Sequence, residues 1–428
     1  MFATSNNAAV KNTTHKVVVP FYSYAAFTLL ASTLLLFFSS ASFTGHYFHP
    51  HILAITHAMA LGWGTMIILG ASHQLIPVLT ESRLYSIPLA YVSFAAAATG
   101  IPFLLYGLYV FNMGWPARWG GALIVFSILC YLINIAGTIT KNKTENVHAV
   151  FVFSAALWLL LTTGLGLALV YNFSYPVFSK DSLAYLPLHA HMGIVGWFLL
   201  LVIGVGSRLI PMFLISKYSN PRLLWLIFIL INAGLLIFLL LFLFNPTATF
   251  YLIPIITVLA AIVLFGFYCF QCYQQRIRRQ VDEPMKTSLL AILLMLLPLL
   301  VLFIIMGILV QNSLETRLVL VYGFVIFFGW ITAIILGMTF KTLPFIVWNK
   351  VYHQKAGLGK TPNPKDLYSN KLFKAMVINY GAGFILFIAG VLAVQILLLQ
   401  TGAVFLIAAA VLYNYNVINL LLHKSPTT

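Results

Sequence analysis

The segment HMGIVGWFLLLVIGVGSRLIP (191–211) decides how the chain is read, because it has two counterparts: HAMALGWGTMIILGASHQLIP (57–77) and FVIFFGWITAIILGMTFKTLP (324–344). Each carries a Gly-Trp pair, at Gly62-Trp63, Gly196-Trp197 and Gly329-Trp330. A second glycine follows (Gly70, Gly204, Gly337), and then a proline (Pro77, Pro211, Pro344). No gap is needed to align the three copies. The first two open on a histidine, His57 and His191, where the third has Phe324. A pattern kept at such long, equal separations reads as one unit repeated three times.

Around these segments the chain is too apolar for a soluble globule. Hydrophobic residues make up 62% and charged residues 7%, with a mean hydropathy of +1.01, so too little polar surface exists to cover a core. Stretches of about 20 apolar residues, enough to cross ~30 Å of hydrocarbon, are expected at 18–43, 51–79, 86–111, 117–140, 148–172, 187–214, 221–245, 248–275, 285–311, 316–347, 372–397 and 399–422. The expected fold is an all-α membrane protein, with twelve transmembrane helices in three four-helix repeats related by pseudo-threefold symmetry. The repeats cover approximately 18–140, 148–275 and 285–422 of a single domain spanning 1–428. The Gly-Trp motif then falls on helices 2, 6 and 10.

The net charge of +16 is distributed unevenly. Both termini and the connections on their side carry Lys11, Lys16, Arg83, Lys141, Lys143, Lys217, Arg222, Arg276, Arg278, Arg279, Lys286 and the cluster from Lys350 to Lys374. Opposite loops hold Arg118, Lys180 and Arg317. Because basic residues are retained inside, both termini are expected in the cytoplasm of a bacterial-type inner membrane. The charge is expected to meet anionic lipid, and its scatter over short loops speaks against nucleic acid. The polar first 17 residues lead into a span too long for a signal-peptide core, so helix 1 is expected to be a retained anchor.

Two motifs carry little. Cys269-Phe-Gln-Cys272 has redox spacing but sits on an expected helix, where two small apolar residues on one face suffice as a reading. Gly357-Leu-Gly-Lys-Thr361 resembles a phosphate loop, yet Gln354 stands where that loop needs its first glycine and no strand precedes it.

The histidines carry more. Of eleven, His15, His148, His353 and His423 fall at termini, loops or helix ends and are expected to be solvated. His57, His189 and His191 fall near the start of helices 2 and 6, at a common depth. Intramembrane histidines are costly unless partnered, and imidazole is a common ligand of haem iron and of copper. Two facing helices, each presenting one nitrogen, can clamp a haem. His73 lies about 24 Å farther along helix 2 at ~1.5 Å per residue. With Gln74, Arg208 and Lys341 it reads as an interfacial polar collar of snorkelling side chains. His49 and His51 flank Pro50 at the mouth of helix 2, where copper or the edge of a second haem is the functional reading and an interfacial pair the structural one; His46 beside them is a weaker candidate.

Twelve expected helices in three arcs, together with His189-Ala-His191-Met-Gly-Ile-Val-Gly196-Trp197, resemble the catalytic subunit of haem–copper oxidases, especially C-type oxidases and nitric oxide reductases. The resemblance implies that an HxHxGxxGW run supplies axial ligands to two haems. By that implication His191 and His57 match the low-spin pair and His189 the high-spin position. The match is specific only around helices 2 and 6, and it departs from the family elsewhere. Helix 10, which carries the motif in the family, has no histidine here, and helices 7 and 8 lack the copper ligands. All seven acidic residues fall in expected loops or helix ends, which disfavours proton pumping and carboxylate-coupled transport.

The expected function is therefore that of a haem b-binding redox protein. It would transfer electrons from a donor or partner subunit, or handle a diatomic gas (nitric oxide or dioxygen), with copper as a further ligand. An unorthodox oxidase or nitric oxide reductase with a high-spin site at His189 is the enzymatic variant. A metal or haem transporter or assembly factor is the non-redox alternative.

Overall fold

In the computed structural model the described residues are 15–141, 146–244, 247–277, 279–310, 315–355 and 361–425. Lys11, Lys143, Glu145, Arg278 and residues 357–360 of the phosphate-loop-like stretch lie outside them. Among the described residues there is no strand, and twelve helices are long and apolar enough to cross a membrane. They are α1 (His15–Phe38), α2 (Pro50–Leu79), α3 (Ile87–Tyr109), α4 (Trp115–Ile139), α5 (Val147–Asn172), α6 (Leu186–Leu214), α7 (Pro221–Phe244), α8 (Ala248–Gln274), α9 (Glu283–Leu309), α10 (Thr316–Tyr352), α11 (Asn370–Ala393) and α12 (Ile396–Leu421). The chain is an integral membrane protein.

Boundaries differ from the hydropathy reading in two instructive places. Helix α1 stops at Phe38, and the residues after it form a short 3-10 turn at Ser40–Thr44. Helix α9 breaks at Met295, because Pro298 has no N–H to give the carbonyl four residues back.

Burial sorts the helices into an inner set and an outer set. Within their most apolar windows α2, α6 and α10 are 83%, 67% and 72% buried, whereas the other nine lie between 22% and 50%. Those three inner helices are the ones that carry Gly-Trp. The rest surround them in a closed circuit, with α4 against α5, α8 against α9 and α12 back against α1.

The motif glycines provide the close approach. A Cβ on Gly62 or Gly70 would strike Thr28 or Phe21 of α1, and one on Gly196 or Gly204 would strike Trp158 or Phe151 of α5. Gly337 likewise meets Ser288 of α9, while Gly329 faces Phe384 of α11. Small residues at such crossings let membrane helices pack backbone to backbone.

The tryptophans join the inner helices to one another. Trp63 Nε1 donates to Thr332 Oγ1 at 3.1 Å, and Trp197 Nε1 donates to Thr65 Oγ1 at 3.0 Å. Both threonines stand two residues after a motif tryptophan; the corresponding residue of the second copy is Leu199, which offers no side-chain acceptor. Because the Trp197 indole is 1% exposed, Thr65→Val strands a buried donor. It is expected to lower stability by about 1–3 kcal/mol, measured as a drop in the thermal midpoint of the solubilised protein. An unchanged midpoint would show that the bond contributes nothing.

Around each Gly-Trp pair the helix widens to i→i+5 hydrogen bonding, at Ala58–Thr65, Met192–Leu199 and Val325–Ile331. In the third, Gly329 leaves helical geometry (φ −93°, ψ −112°). Tyr380 Oη of α11 donates to the freed carbonyls of Phe328 and Gly329, each at 2.8 Å. Widened turns of this kind are rare and concentrate at functional sites.

Candidate functional site

Helices α2 and α6 begin at the same end of the bundle, opposite the termini. The first turns of each bring His57, His189 and His191 there, all half-buried. Each helix widens immediately after its histidine, at Ala58 and at Met192, so the widened turn sets the rotation of the histidine turns against the rest of the helix.

His57 and His189 face each other across the α2–α6 boundary. Their ring centres are 6.1 Å apart and their planes lie within 21°. The Nδ1–H of His57 donates to the Leu53 carbonyl at 2.8 Å, which leaves Nε2 of the neutral ring as a lone-pair donor. Nδ1 of His189 is buried without a hydrogen bond of normal geometry, although the Thr162 carbonyl lies close by. On α5, Gly166 gives this imidazole its room, since an added Cβ would stand 2.8 Å from His189 Cε1.

His191 turns the other way. Two residues along a helix is a rotation of about 200°, and the His191 ring accordingly meets α7 and α10 rather than α2. Its Nδ1–H donates to the Pro187 carbonyl at 2.7 Å, and its Nε2 accepts from Tyr322 Oη at 3.1 Å. Phe238 closes the other side, with ring centres 5.0 Å apart. The sequence thus leaves His189 and His191 as alternative partners of His57, and the structure brings His189 to it. Tyr322 was not singled out from sequence, yet it occupies the slot in the third copy that His189 holds in the second. A polar residue at that aligned position was the available signal.

Other histidines have quieter roles. His73 is fully buried; its Nδ1 bonds the Leu69 carbonyl at 2.7 Å, and its ring packs against Phe21 and Tyr131. It does not snorkel. Lys341, expected in the same collar, is also buried and pairs with Asp282 at 2.7 Å. His148 is not simply solvated, because its Nδ1 lies 2.9 Å from Ser207 Oγ and ties α5 to α6. His423 Nε2 is 2.8 Å from Tyr352 Oη.

His49 caps α2, its Nδ1 accepting from the His51 backbone N–H at 3.2 Å. His51 stacks on Tyr109 with ring centres 4.1 Å apart, and its Nδ1 is 3.3 Å from Ser42 Oγ. The two imidazoles lie 4.9 Å apart and nearly perpendicular. Among the described residues, no three His, Cys, Asp or Glu side chains converge as a metal cluster. Replacing the cap, His49→Ala, is expected to cost about 1 kcal/mol and to leave any cofactor at His57 untouched. Cofactor loss in that variant would assign His49 to the site. Cys269 and Cys272 are free and buried on α8, as a pair on one packed face.

The spacing of the two rings is compatible with one metal ion shared between two helices. A metal ion bound by both rings requires centres about 6 Å apart, from two ~2 Å metal–nitrogen bonds and two ring radii. The His57–His189 separation meets that, and Gly166 keeps the ring clear. No protein-family model matches the chain, and no match was found among curated proteins.

Proposed function

We propose that the chain is a haem-binding redox protein of the inner membrane, built on the haem–copper oxidase architecture, with His57 and His189 holding a b-type haem. The single observation that carries this reading is the pair of facing imidazoles 6.1 Å apart from two different inner helices. When bound, haem supplies one-electron chemistry. The chain's own residues hold and orient it: the Leu53 carbonyl selects the His57 tautomer, and α5 leaves clearance at Gly166.

The oxidase relationship and its threefold plan are part of the same proposal. They are supported by the three aligned copies, by the widened turn in each and by the Trp-to-Thr bonds between inner helices. The basic loops on the terminus-bearing side favour cytoplasmic termini, which puts the haem near the outer face, within reach of an electron donor on that side. A lone copper ion suits His49 and His51 only as a transient two-imidazole ligand set.

Two facing ligands favour electron transfer over turnover of dioxygen or nitric oxide. The visible spectrum of purified protein tests this. One haem per chain, six-coordinate and low-spin, with bands unmoved by carbon monoxide, is expected. A five-coordinate haem that binds carbon monoxide would replace electron transfer with a reductase site. Protein folded and free of haem after expression with excess haem would overturn the reading and favour a transporter or assembly factor.

A further inference from the structure

A cavity of about 440 Å³ lies among the three inner helices at the end of the bundle that carries the termini. Its lining follows the repeat. Ile67, Leu201 and Ile334 line its depth, each no more than 6% exposed; Val78, Met212 and Phe345 form its rim, each about half exposed. Each triplet occupies the same aligned position in the three copies. The cavity is therefore a tube between α2, α6 and α10, mostly apolar and open at one end. From Val78 to Ile67 is eleven residues, about 16 Å at ~1.5 Å per residue, or half of a ~30 Å hydrocarbon core. That is the length of one lipid tail.

The rim is polar on its α10 side and adjoins a cationic pocket. Asn349 lines the mouth, and Ile346 borders both this cavity and a neighbouring pocket of about 260 Å³ lined by His15, Lys16 and Lys350. Lys341 also lines the tube, but its charge is met by Asp282.

We infer that this tube binds a single-chain carboxylate, a long-chain fatty acid, with its tail along the axis and its headgroup at Asn349 and Lys350. One tube takes one tail, which distinguishes it from a two-chain phospholipid, and the cationic pocket beside the mouth complements a carboxylate. The site is independent of any cofactor at His57.

The test uses full-length solubilised protein and a sixteen-carbon fatty acid bearing a photoreactive diazirine at its terminal carbon. Expected are crosslinks at Leu201 and Ile334, competed by unlabelled fatty acid but not by its methyl ester. Val205→Trp, which fills the tube at mid-depth, should reduce labelling about tenfold; Lys350→Glu, on the surface, should weaken competition about tenfold. Labels confined to lipid-facing positions such as Leu236 and Ile378 would overturn the inference. So would axial labelling by a diacyl phosphatidylglycerol probe where the fatty acid fails. Should Val205→Trp not fold, competition in the unaltered protein and Lys350→Glu decide the matter.

Discussion

His57→Ala and His189→Ala are each expected to lose haem by roughly tenfold or more, because even outer-shell partners of metal ligands are worth 10–100-fold in affinity. Each removes one of the two imidazoles that face each other at 6.1 Å. A ligand that binds only the folded state also stabilises it, so the thermal midpoints of both variants should fall toward that of haem-free protein. His191→Ala should behave differently, since its ring is engaged by Tyr322 and Pro187 on the other side of α6. It should keep the haem and a six-coordinate spectrum. Haem content per chain and the reduced spectrum read all three variants. Retention of the wild-type spectrum in His57→Ala, or haem loss in His191→Ala matching that in His189→Ala, would break the assignment of His57 and His189 as the pair.

Gly166→Val should produce an equal loss without touching a ligand. The added carbon stands 2.8 Å from His189 Cε1, a distance at which one of the two must move. A β-branched side chain on a helix has little rotamer freedom with which to yield. The imidazole is therefore displaced, and a metal site tolerates only small departures in ligand position. Gly164→Ala is the control on the same helix, because nothing lies within 4 Å of its added carbon. It should leave haem content unchanged, whereas Gly166→Val should fall about tenfold, in line with the loss of a ligand's supporting shell. Matching elution profiles in gel filtration establish that both fold. Equal haem in the two variants would mean that the His189 ring has slack, and that its position is not set by α5.

Hydropathy made the helices legible because each span is a long apolar run bounded by polar loops. The Gly-Trp copies marked the three helices that burial shows to be the inner set, since close packing demands small residues wherever a central helix meets its neighbours. What stayed open was rotation. His189 and His191 are two residues apart, so they address opposite sides of α6, and nothing local states which side meets α2. Gly166 was invisible for a related reason: its role is a contact with a ring on another helix, and sequence records no such distance. The polar collar was misread through His73 and Lys341. Their spacing suggested snorkelling toward water, whereas Leu69, Tyr131 and Asp282 provide partners inside the bundle.

The widened turns have a consequence for how these helices tolerate change in length. A turn closed by i→i+5 bonds contains one residue more than the α-helical pattern needs. Deleting a single residue there, such as Ala60 or Ile194, lets the helix revert to uniform α geometry while the stretch carrying the second glycine and the proline stays docked. Because the widened turn spends one extra residue on the same rotation, everything before the deletion keeps its angle to the rest. His57 or His189 would keep its place across the α2–α6 boundary, and only the widened turn itself would be lost. The surplus residue in each inner helix is local slack: its loss is absorbed within the turn, whereas a deletion in the α-helical part would turn the part that binds by about 100° against the part that packs.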